Sequence, residues 1–272
     1  MAKLRFFLVY LALSLSLAFL WCPLPVAAQG SRVVSVPTLG VRTDGLPGVI
    51  NHVLIQFERM AAQNGPVIEF NEINLGGGSL VGEEWKDGVR HAVQAVARLV
   101  GEDGHDWRIT LKNRAVTAVT DGRSSSGAIA VGILAAYKGD ALRSDIAVSG
   151  VITPDGRIDV VGGLPSKLEA AAGGQYRSLV ISRHQPYTSD WPQGEEAAAR
   201  LRVALIQVRT LAEAYETMTG AGANALSILW AGLTPSPAGS GLGIRVRPRH
   251  RRGAVWFSPT GLIRSPPLWS RQ

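Results

Sequence analysis

The stretch that most restricts the fold is Ser124 to Tyr137 (SSSGAIAVGILAAY), which carries no charge along its whole length. As a helix it has no polar face to offer to water. It must therefore be covered on most sides, with the rest of the chain wrapped around it. The flanking segments suit that task. In Glu83 to Val100, residues Val89, Ala92, Val93, Val96, Leu99 and Val100 recur at helical spacing and predict an amphipathic helix. Arg32 to Val36, Gly48 to Phe57, Val67 to Phe70 and Trp107 to Leu111 read as strands. Further on, Ile146 to Ile152 and Arg157 to Val161 form two strands joined by Pro154-Asp155-Gly156, a hairpin turn. Ser166 to Ala172 reads as a helix stopped by Gly173-Gly174. Ser178 to Ser182 and Val203 to Val208 read as strands, and Leu211 to Thr219 as a last helix ending at Gly220. This order predicts an α+β domain over residues 29–220.

The two ends differ from this middle. Lys3 and Arg5 precede an uncharged apolar run from Phe6 to Trp21, and Val26-Ala27-Ala28 supplies small residues before Gln29. Residues 1–28 thus read as an export signal, cleaved before Gln29 or retained as a membrane tether. The run is short for a membrane span. Cys22 is the only cysteine and lies within that segment. The remainder is expected to hold no disulfide, no thiol nucleophile and no cysteine metal site, so packing alone must stabilise it. From residue 221 onward Gly, Pro, Ser and Arg rise, and residues 221–272 read as a largely irregular tail. The formal net charge is +7, but seven arginines lie beyond residue 244, where no acidic residue occurs. Setting those aside with Lys3 and Arg5 turns +7 into −2. The basic balance therefore belongs to the ends, and the middle is not a specific nucleic-acid binder. The tail or the signal segment is where contact with a membrane or envelope is expected.

Reactive residues concentrate between Asp121 and Lys167. Asp121-Gly122-Arg123-Ser124-Ser125-Ser126-Gly127 runs straight into the apolar helix. Unpaired N–H groups at such a helix start can hold an anion, including the tetrahedral oxyanion of acyl transfer. Serine is also a favoured N-cap, so the triplet alone has an ordinary structural explanation. Lys167 follows Gly162-Gly163-Leu164-Pro165-Ser166. A lysine in an apolar pocket loses stability as a cation and can become a base near neutral pH. On its own it reads as a solvated helix residue. His52, His91, His105, His184 and His250 show no metal-ligand spacing, and Gly76-Gly77-Gly78 is not followed by the Gly-Lys-Ser/Thr of a phosphate loop. No cofactor or metal is expected.

Taken together and in order, these motifs resemble the proteolytic domain of Lon proteases. The family pattern D-G-P-S-A-G is matched at Asp121, Gly122 and Ser124, followed by the small and aliphatic helix residues Ala128, Ala130, Gly132, Ile133 and Leu134. Arg143-Ser144-Asp145 resembles the family's R-S-D, and Ala147 to Thr153 resembles A-M-T-G-E-I-T. Gly156-Arg157 and Val160 to Leu164 continue the register, which places Lys167 on the catalytic lysine without a gap. The resemblance implies a fold like domain 2 of ribosomal protein S5, and a Ser124–Lys167 dyad. In it, Asp121 fixes the loop and Ser149 orients the lysine. Polypeptides are the implied substrates, and the family's ring-forming habit raises a homo-oligomer. Three positions depart from the pattern. Arg123 replaces the proline, Val151 the glutamate, and the glycine of S-x-G comes one place late, which makes Ser125 the alternative nucleophile. No Walker A motif occurs, so ATP-independent cleavage of exported proteins is expected. A non-catalytic binding or scaffold role is the alternative that the departures suggest.

Overall fold

The computed structural model describes residues 31–72 and 80–220. The expected signal segment 1–28, the Gly76-Gly77-Gly78 turn and the expected tail 221–272 lie outside the described residues. The chain first forms β1 (Arg32–Gly40), β2 (Val49–Arg59), β3 (Val67–Phe70), β4 (Leu80–Val81) and α1 (Glu83–Val100). Then come β5 (Trp107–Arg114), β6 (Val119–Thr120), a 3₁₀ turn (Arg123–Ser125), α2 (Ser126–Lys138), β7 (Ile146–Val148), β8 (Val151–Ile152) and β9 (Ile158–Asp159). The last part holds α3 (Leu164–Gly173), β10 (Ser178–Ser182), a second 3₁₀ turn (Gln185–Tyr187), α4 (Trp191–Leu201), β11 (Ala204–Val208) and α5 (Leu211–Thr219). The architecture is mixed α+β, as expected.

Two larger sheets frame the molecule. The first has the order β1-β2-β5-β3. Its first three strands run antiparallel, with Val36 opposite Val53 and Ile55 opposite Leu111. Strict alternation along β2 and β5 buries every second side chain, so one sheet face is apolar over most of its length. The second sheet, β11-β10-β7, is parallel and covered on both faces. Ile146, Val148, Val180 and Val208 join the core built on α1, α2, α5 and the first sheet. Ala147, Leu179 and Ile181 point the other way, into a second core with Leu164 and Leu168 of α3 and Ala197 of α4.

Helix α2 lies at the centre of the first core, and Ser126 through Ala136 are all buried. Each fully buried aliphatic side chain here contributes about 1.5–3 kcal/mol. Gly132 sets how closely the helix sits on the sheet. A Cβ at that position would lie 2.5 Å from Ile55 Cδ1 and 2.7 Å from Val36 Cγ1.

The structure departs from the sequence reading in two instructive places. Ile146 to Ile152 is not one strand but two, interrupted at Ser149-Gly150. The reason is competition for backbone hydrogen bonds: Gly150 N–H donates to Ser124 O at 3.1 Å, and Gly150 O accepts from Gly127 N–H at 2.9 Å. A helix unmarked in the sequence reading, α4, joins β10 to β11. Parallel neighbours require such a crossover. Among its apolar side chains only Ala197 and Ala198 are buried, so its periodic signal is faint. The Pro154-Asp155-Gly156 turn does join an antiparallel pair, with Ile152 opposite Ile158.

Candidate active site

The serine triplet does not begin the helix as a simple cap. Gly122 sits at φ 94°, a conformation open to glycine, and turns the chain into the 3₁₀ turn that leads α2. Arg123 takes the first position of that turn. A proline would fit there because no N–H is required, so arginine changes little in backbone geometry and adds a donor. The three hydroxyls then diverge. Ser126 is 1 % exposed, and its Oγ accepts from Ile152 N–H at 2.9 Å, which ties β8 to the helix start. Ser125 is buried and Ser124 half-buried, and both line an open cavity of about 480 Å3. No hydrogen bond engages either hydroxyl among the described residues.

Asp121 secures the loop from the other side. Its Oδ1 accepts from Trp85 N–H at 3.0 Å and from Gly122 N–H at 2.8 Å. The first of these supplies the cap that α1 lacks, since Gly82 at the N-cap has no side chain. A Cβ on Gly82 would in fact collide with that carboxylate.

Lys167 reaches the same cavity from α3. It is 2 % exposed, and its amine makes no hydrogen bond among the described residues. Burial lowers its pKa to about 8, against a smaller opposing pull from the negative charge of Asp190. The lysine is thus held by packing, close to the protonation balance that a general base needs. Ser149 occupies the break between β7 and β8. It is buried, and its Oγ has no hydrogen-bond partner, so the expected bond orienting Lys167 is not formed.

Two residues passed over in the sequence brace the lysine helix. Asp190 stands at the N-cap of α4, yet its Oδ2 accepts from Leu164 N–H, the first amide of α3, at 2.9 Å. Its Oδ1 accepts from the Thr188 hydroxyl at 2.8 Å. Desolvation raises its pKa, but these hydrogen bonds outweigh it and hold the carboxyl below the usual range. Gln185 is wholly buried and clamps Val161, accepting from its N–H at 3.0 Å and donating to its carbonyl at 2.7 Å. Thr188-Ser189-Asp190 ahead of Trp191-Pro192 was the available signal, as a helix start. What it could not disclose was that the carboxylate serves a different helix.

The arrangement brings hydroxyl nucleophile candidates and a buried amine of lowered basicity to one cavity at the turn that leads α2. That set suits acyl transfer. Comparison with known proteins points the same way. Residues 101–214 match the family model of the Lon protease (S16) C-terminal proteolytic domain. The Lon protease of Mycolicibacterium smegmatis is 28% identical over 210 residues, which span 74% of this chain and 25% of that protein. The chain thus spans about a quarter of the length of that curated relative. From Gly101 into α5 the chain is similar to the Lon proteolytic domain, and its mixed α+β fold is consistent with that domain's fold.

Proposed function

We propose that the domain is a serine endopeptidase in which Ser124 attacks and Lys167 is the general base. The observation that carries this reading is the lysine. A fully buried amine with a lowered pKa lines the same cavity as Ser124 and Ser125. Such burial is costly and gains nothing structural, as no hydrogen bond holds the group.

In this mechanism neutral Lys167 takes the hydroxyl proton as the oxygen bonds to a peptide carbonyl carbon. The resulting oxyanion is stabilised by N–H groups of the turn leading α2. Collapse breaks the C–N bond, and Lys167 returns its proton to the departing amine. Water then attacks the acyl-enzyme, again deprotonated by the lysine, and releases the carboxylate product. Asp121 holds the serine loop against α1, while Asp190 and Gln185 hold the lysine helix. Ser124 is favoured over Ser125 because it keeps the family register and is the more accessible of the two. We further propose polypeptides of the exported or envelope compartment as substrates, cleaved without ATP. The apolar segment after Lys3 and Arg5 supports the exported compartment.

The test is turnover of an unfolded protein such as casein, with and without ATP, by the whole chain and its Ser124→Ala, Ser125→Ala and Lys167→Ala variants. Turnover should fall by roughly 10²–10⁴-fold or more with Lys167→Ala and with one serine variant only. Unchanged turnover in Lys167→Ala would refute the dyad. No turnover by the folded parent would favour the scaffold reading.

A further inference from the structure

The inner face of the first sheet changes character where it reaches the cavity. Along β1, β2 and β5 the inward positions read Val36, Val53, Ile55, Ile109 and Leu111, all buried. The register then places Thr38 opposite Asn51, and Asn113 opposite Val53. Thr38, Asn51 and Asn113 are each 2 % exposed, so polar groups stand where the alternation calls for aliphatic ones.

Thr38 Oγ1 donates to Asn51 O at 3.5 Å, but the two amides are poorly satisfied. Asn51 Oδ1 is buried without a hydrogen-bond partner, and no hydrogen bond engages its Nδ2 among the described residues. Asn113 Nδ2 donates to Thr120 Oγ1 at 2.9 Å, but its Oδ1 is likewise unpaired. Thr38, Asn51 and Thr120 all line the cavity that holds Ser124, Ser125 and Lys167. An unpaired buried amide destabilises a fold, so stability gives no reason for asparagine at position 51. A ligand in the cavity would supply one. The two ends of the amide are nearly isosteric and exchange by rotation, so Asn51 can offer the cavity either a donor or an acceptor. Another carboxamide answers both at once.

We infer that Asn51, supported by Thr38, is a specificity-determining residue that hydrogen-bonds a glutamine or asparagine side chain of the substrate beside the scissile bond. This rests on the peptidase reading for its context, but not for its test. Of the charged groups that line the cavity, Lys167 is assigned to the nucleophile in the peptidase reading, and the others are engaged within the chain. Arg42 and Asp44 on the β1–β2 loop are hydrogen-bonded to each other, and Asp121 is committed to backbone amides.

The experiment measures binding separately from turnover. Fluorescein-labelled peptides, identical except for Gln, Asn, Met or Leu at one position, are titrated by anisotropy against the whole chain carrying Ser124→Ala and Ser125→Ala. The same peptides are assayed for cleavage by the parent. The Gln or Asn peptide should bind about 10- to 100-fold tighter than its Met or Leu counterpart. Asn51→Leu should abolish or reverse that preference. Thr38→Val, a smaller change, should reduce it, and thermal melts would verify that both variants fold. Equal binding of all four peptides, binding of none, or a preference that survives both substitutions would overturn the assignment. Selective binding without cleavage would support it while refuting the peptidase.

Discussion

Burying Lys167 works against the folded state. Its amine titrates near 8 in the folded chain and near 10.5 ordinarily, because the cation loses its water. Between those values the unfolded chain still holds a proton that the folded chain has released. Stability therefore rises with pH from 8 to 10.5, and below 8 the whole cost remains. Lys167→Met should accordingly stabilise the domain at pH 7, by about 1–3 kcal/mol in urea melts, while abolishing turnover. In the parent, turnover should climb with pH, with its half-maximum near 8. A flat profile from pH 6 to 10 would remove Lys167 as the base. Position 167 was legible in the sequence only through its company: alone, Gly-Leu-Pro-Ser-Lys-Leu describes any helix start. The unpaired amide of Asn51 was not legible at all. The alternation in Val-Ile-Asn-His-Val-Leu-Ile-Gln-Phe predicts an inward position, but not that its partner would be missing.

At the scale of elements, the lysine helix depends on its neighbour. Asp190 links the start of α4 to the first amide of α3, and its charge also bears on Lys167. The two effects can be separated. Asp190→Asn keeps an acceptor and removes the charge, so the rising limb of the pH profile should move to lower pH with turnover near the parent's. Asp190→Ala also releases Leu164 N–H. It should cost about 1–3 kcal/mol of stability and lower turnover at every pH. An unshifted pH midpoint in both variants would show that Asp190 only caps. The elements most readily read from sequence were those with strong periodicity, such as α1 and β2. Those missed were short or lacked an apolar face: β4 and β6 have two residues each, and α4 presents mainly alanine to the core. The break at Ser149-Gly150 was hidden for another reason. It is imposed by the serine turn, a partner remote in sequence.

Across the whole molecule, the stretch Ser124 to Tyr137, uncharged up to the last residue of α2, did foretell the plan, with sheets and helices enclosing it. It could not foretell that the parallel sheet would have a core on each face. Close packing at the centre should make the fold intolerant of added volume. Gly132→Val would drive two methyl groups into Ile55 and Val36, and should lower stability by about 2–4 kcal/mol or prevent folding. A melting temperature within about 2 °C of the parent would show that α2 can withdraw from the sheet. The two cores also divide the proposed chemistry between them. The serines lead a helix of the first core, and Lys167 projects from a helix of the second. The nucleophile and its base therefore share no secondary-structure element. Their alignment acts as a gauge of how well the two cores are seated on the sheet they share, so a slight loosening between them would disarm the proposed dyad while the fold persisted.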